Sequence, residues 1–232
     1  EATLGFKSVA ELGNAEAQYR LGQIYRKGEG VSPDHAVAAS WYRRAAEQGD
    51  NRAQLNLGLM YTIGQGIPQD YAEATRWLRL AAEQGRVKAQ FVLGVIYSED
   101  KNSSQDYSEA ARWYRLAAEE GHARAQTRLG SMYAQGKGVS KDYVAANRWF
   151  RSAAEQGNAN AQQHLGYHHG MGFGVPKDQI LAYMWFSLAA AQGQKTAIGN
   201  RDFIAEDMTQ DQLAKAQKLA RECLARNYKK CN

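Results

Sequence analysis

The sequence predicts an all-α solenoid of five helix-turn-helix repeats, closed at both ends by helical caps, and three observations carry that expectation. Trp41, Trp77, Trp113, Trp149 and Trp185 recur every 36 residues. Eight residues after each stands Gly49, Gly85, Gly121, Gly157 or Gly193. In the first half of the opening unit Ala17, Leu21, Ile24, Tyr25 and Gly28 fall at i, i+4, i+7, i+8 and i+11, the stripe of an amphipathic helix. A fixed period in this range marks a supersecondary unit too small to bury its own apolar face, so neighbours must stack to close a core.

Residues 1–13 are in the phase of a repeat's second helix: Phe6, Val9, Ala10 and Gly13 match Tyr42, Ala45, Ala46 and Gly49, while Gly5 stands where the tryptophan belongs. They read as an N-terminal cap helix or as the trailing part of a repeat in a longer array. The five units then run 14–49, 50–85, 86–121, 122–157 and 158–193. Helix A of each carries an internal glycine, Gly22, Gly58, Gly94, Gly130 or Gly166, although glycine there costs about 1 kcal/mol relative to alanine. Its recurrence predicts a close backbone approach by the Ala-rich second helix. The pair Gly28/Gly30 and its counterparts give the connecting turn access to positive φ. A phosphate-binding loop would follow a strand and carry Lys-Ser/Thr, so these loops read as repeat-closing turns.

Helix B starts after Asp34, Asp70, Asp106, Asp142 or Asp178, whose carboxylate can accept from the orphan N–H groups of the first turn. Its Ala38, Trp41, Ala45 and Ala46 mark one face. Beyond Gly193 the pattern decays: Ala197 keeps the phase but Arg201 replaces the core leucine. Residues 194–232 read as a helical cap, first a helix with Ala197, Phe203 and Ile204, then a capping box, Thr209-Gln210-Asp211-Gln212, opening a helix with Leu213, Ala216, Leu219, Ala220, Cys223 and Leu224.

The repeated Ala-x-x-x-Leu-Gly-x-x-Tyr, Gly-x-Gly-Val, Asp-Tyr, Ala-x-x-Trp and Ala-Ala-Glu-Gln-Gly resemble the Sel1-like repeat over roughly residues 14 to 193. The tetratricopeptide repeat, by contrast, runs at about 34 residues. The resemblance implies a right-handed α/α superhelix, a non-catalytic adaptor that binds proteins, with many members in bacterial envelopes or secreted and some acting as immunity proteins against delivered toxins.

Composition sets further bounds. At 232 residues with 44% apolar, the chain can build its core as a ribbon through successive units. The net charge of +5 is mild. The pairs Arg76/Arg79, Arg112/Arg115 and Arg148/Arg151 read as a solvated outer face of helix B, with Arg79, Arg115 and Arg151 each four residues ahead of a glutamate. The aromatic residues sit mostly at repeat-core positions, so neither nucleic acid nor membrane is expected as a partner. Cys223 and Cys231 lie eight apart in a tail that needs pinning. They predict a disulfide and an oxidising compartment, two free thiols in a reducing cytosol being the alternative. No leader or membrane span is read in the chain, and a removed signal peptide would leave the same picture. The expected location is periplasmic or secreted.

In helical-pair arrays the A helices line the concave side, and their varying positions predict where a partner sits. Leu55, Leu59, Phe91 and Val95 form an apolar patch flanked by Tyr19, Arg20, Gln23, Arg128 and Tyr167. The competing reading buries these side chains between adjacent A helices. The third unit's turn, Ser98 to Gln105, keeps its length but loses both glycines, and is either a functional loop or a tolerated turn. His164 and His168, one helical turn apart, and His169 are the only cluster with possible chemistry. Two imidazoles can share a divalent metal, but zinc wants further ligands and the His-Glu-x-x-His glutamate is absent. His168 and His169 stand where other units have Ile or Met and Tyr, so polar substitution at a semi-buried end of the array is the expected reading, with no metal and no cofactor. Without a nucleophile elbow or a Cys/His pair, no enzyme is expected. The expected function is a protein-protein interaction scaffold of the bacterial envelope. The alternatives are an immunity protein neutralising a secreted toxin such as a phospholipase, and a structural component of a motility, secretion or cell-wall complex.

Overall fold

The computed structural model describes residues 2–99 and 106–231, and among these there are thirteen helices and no strand. They form two compact units. The first holds α1 (Ala2–Glu11), α2 (Ala15–Lys27), α3 (His35–Glu47), α4 (Asn51–Ile63), α5 (Tyr71–Glu83) and α6 (Val87–Ser98). The second holds α7 (Tyr107–Glu119), α8 (Ala123–Gln135), α9 (Tyr143–Ala154), α10 (Ala159–Met171), α11 (Gln179–Ala191), α12 (Lys195–Glu206) and α13 (Gln210–Ala225). Consecutive helices pack on one another from α1 to α6 and from α7 to α12, and α13 packs on α11. The third unit's turn falls largely at 100–105, outside the described residues.

The helix boundaries follow the capping chemistry. Asp34 accepts from the Val37 N–H at 2.9 Å, and Asp70, Asp142 and Asp178 cap α5, α9 and α11 in the same way, each such cap contributing about 1 kcal/mol. Asn14, Asp50, His122 and Asn158 cap four of the five A helices, and Arg86 at the start of α6 makes no side-chain cap. The four helix-A glycines with resolved contacts meet one feature of helix B. A Cβ on Gly22, Gly58, Gly130 or Gly166 would lie within 2.8 Å of the side chain of Tyr42, Leu78, Phe150 or Phe186. Helix B does make the close approach, chiefly through the bulky residue after each tryptophan position, with the Ala146 carbonyl also 3.2 Å from a Cβ on Gly130. Gly166→Ala should therefore lower stability by about 1–2 kcal/mol, the overpacking against Phe186 exceeding the gain in helix propensity. Thermal denaturation checks this, and an unchanged midpoint would show that the ring yields.

The second turn glycine has a separate cause. Gly66 has φ +74°, and a Cβ there would collide with the backbone of His35, at the start of the preceding repeat's helix B; Gly174 meets Tyr143 likewise. A glutamine ladder then fixes the register between helices. Gln54 Nε2 donates to the Ala46 carbonyl at 3.1 Å, and Gln84 Nε2 donates to Gln54 Oε1 at 2.8 Å. Gln18, with Gln48, and Gln162, with Gln192, repeat it. Gln18 reaches the Ala10 carbonyl at 3.0 Å, the bond that Gln54 makes to Ala46 of helix B in the first repeat.

At the other end, the capping box of Thr209 and Gln212 opens α13, whose Ala216, Ala220 and Cys223 are buried. Cys223 and Cys231 are disulfide-bonded, with Cα atoms 5.1 Å apart, and join the core around Phe150, Leu165 and Trp185. The apolar face expected for α12 is only partly realised, since Phe203 is 72% exposed while Ala197 is buried. Among the described residues, no helix is long and apolar enough to cross a membrane.

Candidate protein-binding face

Much of the polar surface of the helices is committed to internal register. Arg43, Arg79 and Arg115 donate to the hydroxyls of Tyr61, Tyr97 and Tyr133, one repeat further on, at 2.7 Å for Arg79 and 2.8 Å for Arg115. Arg79 and Arg115 thus find tyrosines, whereas the sequence spacing pointed to the glutamates four residues ahead of them. Arg76 and Arg112 pair with Glu73 and Glu109 and lie over the rings of Trp77 and Trp113. The signal for the Arg-Tyr contacts is a half-period of 18 residues, which a search at the full period passes over.

The varying face of helix A is covered unevenly. Phe91, expected at the centre of the apolar patch, is 8% exposed, and Tyr19, expected at its margin, is 9% exposed. Tyr19 lies beneath Arg52, whose guanidinium carbon is 4.3 Å from the ring centroid, and its hydroxyl accepts from Gln23 at 2.8 Å. Arg52 in turn bonds Glu16 and Asp50. That hydrogen bond, joined by Arg20, holds the Glu16 carboxyl below the usual carboxylate range. Burial opposes the charge on Asp50, but Arg52 and the Ala53 N–H outweigh it, so its carboxyl is also held low. Leu55, Leu59 and Val95 stay half-buried and Arg20 is exposed. A face inside a stacked array is flanked by other helices, and the side chains that reach furthest across are the first to be enclosed. Of the apolar patch expected on helix A, Leu55, Leu59 and Val95 therefore stay partly accessible and Phe91 does not.

In the second unit Arg128 is exposed and Tyr167 is 47% exposed, its ring edge-on to Phe173 at 5.7 Å. The histidines of α10 are not grouped as metal ligands; among the described residues no three His, Cys, Asp or Glu side chains come together. His164 stacks on Phe150 at 4.5 Å. His168, 4% exposed, meets Asn147 Oδ1 at 2.7 Å through Nδ1. His169 is buried with both ring nitrogens unpartnered. It occupies the position of Tyr61, Tyr97 and Tyr133, and Arg151 the position of the arginines that serve them. His169→Tyr should restore that hydroxyl and raise stability by about 1 kcal/mol, read as a higher urea midpoint at neutral pH. A lower midpoint would mean that the pocket has closed around the imidazole.

Comparison with known proteins agrees with this architecture. The Sel1 repeat profile matches residues 15–50, 51–85, 87–122, 123–158 and 159–194. A protective antigen of uropathogenic Escherichia coli with an SLR fold is 35% identical with a TM-score of 0.85, covering 99% of this chain and 49% of its own. The chain thus spans about half the length of that solved relative. A Sel1 repeat protein from Oxalobacter formigenes is 36% identical with a TM-score of 0.75, covering 88% of this chain and 85% of its own. No curated protein matches the chain. Members of this family are generally protein-interaction scaffolds without catalysis. With five consecutive matches carrying the tryptophans, glycines and helix pairs described above, the chain belongs to the Sel1 repeat family.

Proposed function

We propose that this chain is a non-catalytic scaffold that holds a protein partner on the accessible part of its helix-A face, outside the cytoplasm. The observation that carries the reading is the division of the surface. Helix B and the turns place their arginines and glutamines in contacts within and between repeats, whereas the varying positions of helix A, each unit taken by itself, leave Leu59 and Val95 half-buried and Arg20 exposed in the first unit, and Arg128 and Tyr167 exposed in the second. Aromatic and arginine side chains beside apolar surface are the composition of interface hot spots. The Cys223–Cys231 bond supports an oxidising compartment, and the bacterial envelope is the one proposed.

The test is capture of partners from an envelope extract by the wild-type chain and by Leu59→Asp, with the helical circular-dichroism signal and thermal midpoint compared in parallel. Loss of capture with an unchanged fold is expected, since a half-buried leucine can be replaced without opening the core. Phe91→Asp would not serve, because at 8% exposure it would put an unpaired charge into packed surface. Undiminished capture by Leu59→Asp would remove this face from consideration. The identity of what is captured separates the finer roles: a secreted toxin is what an immunity protein would retain, and a subunit of an envelope assembly is what a structural component would retain.

A further inference from the structure

The second unit contains a polar cleft of about 280 Å³ between α8 and α10. Two arginines one helical turn apart, Arg124 and Arg128, stand on one wall, and no acidic side chain lines it. Both are exposed, and Arg128 has no ion pair among the described residues. The opposite wall is the start of α10, where the Asn158 Oδ1 is occupied by the Ala161 N–H at 3.1 Å and the Asn160 Oδ1 by Gln194. Each amide therefore keeps its Nδ2 hydrogens to donate. The floor has the reverse polarity. The hydroxyl of Thr127 donates to the Ala123 carbonyl at 2.9 Å and that of Ser131 to the Thr127 carbonyl at 3.0 Å, so both protons are committed and only the oxygen lone pairs remain for a ligand.

A ligand that fits must bring negative charge for the guanidinium groups and N–H donors for the hydroxyl oxygens. Inorganic phosphate is mainly an acceptor, its one or two P–OH groups at neutral pH being its only donors, so it matches those lone pairs less well than a run of N–H groups does. A peptide ending in or carrying carboxylates offers both, its carboxylate accepting from Arg128 and Arg124 in charge-assisted bonds and its backbone N–H groups donating to Thr127 and Ser131. We propose that this cleft is a recognition site for an acidic peptide segment of a protein partner. The inference rests on the protein-binding reading above and deepens it, giving the second unit its own ligand chemistry.

The experiment is an NMR titration of the full chain, followed at the Arg128 Nε–H and at backbone amides of α8 and the start of α10. Three probes are used: acetyl-Gly-Ala-Asp-Glu with a free C-terminus, its Asn-Gln C-terminal amide counterpart, and inorganic phosphate. Saturable shifts confined to the cleft with the acidic peptide are expected. Binding should be about ten-fold weaker in Arg128→Gln, with a wild-type thermal midpoint, and weaker again in Arg124→Gln/Arg128→Gln. Equal binding of the neutral counterpart, or no cleft shifts with the acidic one, would overturn the proposal. Displacement of the peptide by phosphate at equal affinity would reduce the cleft to a plain anion site and overturn it too. These outcomes are independent of Leu59→Asp, so a failure here leaves the scaffold reading to its own test.

Discussion

Acidification from pH 6.5 to about 4 is expected to weaken the fifth repeat by about 3 kcal/mol through His168 alone. Its ring is enclosed by Tyr143, Phe150 and Phe173, at centroid distances of 5.6, 5.4 and 5.8 Å. Asn147 fixes the proton: its Nδ2 donates to the Phe173 carbonyl at 2.7 Å, so its Oδ1 must accept from Nδ1–H, and Nε2 is the site left for a second proton. Burial, and then the neighbouring His164 and His169, push the folded pKa down to about 4, against an ordinary value of 6.5. The unfolded chain therefore takes the proton first. The stabilisation is complete above pH 6.5 and is lost as pH falls toward 4. His164 shifts the same way by burial, and His169 by burial and Arg151, with Asp178 opposing. His122, lowered by burial and Arg124, adds a local effect, since its Nδ1 must be unprotonated to accept the Ala125 N–H at the start of α8. Urea unfolding followed by tryptophan fluorescence at neutral and acidic pH measures the loss. His168→Met, which places here the residue found at Met60 and Met132, should flatten it. The same pH slope in that variant would assign the loss to other groups.

What the sequence made legible here is what one period can encode. The tryptophan and glycine spacings locate each helix pair, and Asp34, Asp70, Asp142 and Asp178 mark the starts of helix B through a chemistry local to four residues. Contacts between repeats were less visible. The glutamines at positions 18, 54, 90, 126 and 162 look like surface residues by type, yet all are buried. Their recurrence beside an invariant alanine within the chain was the available signal. Tyr19 and Phe91 were assigned to an accessible face because helical periodicity tells core from outside for one helix. It does not say how closely the neighbouring helices crowd that outside, and the crowding decided both. Arg128 and Tyr167 are exposed. The polar cleft escaped sequence reading because the polarity of its floor depends on where two hydroxyl protons point, and α-helical carbonyls settle that only once the helix exists.

Reduction of the Cys223–Cys231 bond is expected to cost about 2–3 kcal/mol in the chain-entropy treatment of so short a loop, and to lower the thermal midpoint by about 5–10 °C. The backbone of the tail offsets part of that cost and points to the lower end of the range. Asn227, Tyr228 and Lys230 hold φ values of 49°, 65° and 53°, in a left-handed region that costs an L-residue about 1–2 kcal/mol. Something must hold them there, and the backbone contributes bonds such as Tyr228 N–H to the Cys223 carbonyl at 2.9 Å. Once the sulfurs part, the chain can relax to ordinary backbone angles only by withdrawing Cys231 from the core and lifting Tyr228 from the Gly157 turn, where a Cβ would stand 3.0 Å from its ring. That exposes the end of the cluster around Phe150 and Trp185, so the loss should appear as early melting of the last repeat and as new protease cleavage near residues 226–231. Wild-type protein with and without dithiothreitol is the cleanest comparison, because no side-chain volume changes. Identical midpoints and digestion patterns would mean that α13 packs without its staple, and the argument from the disulfide to an oxidising compartment would then lose its physical basis.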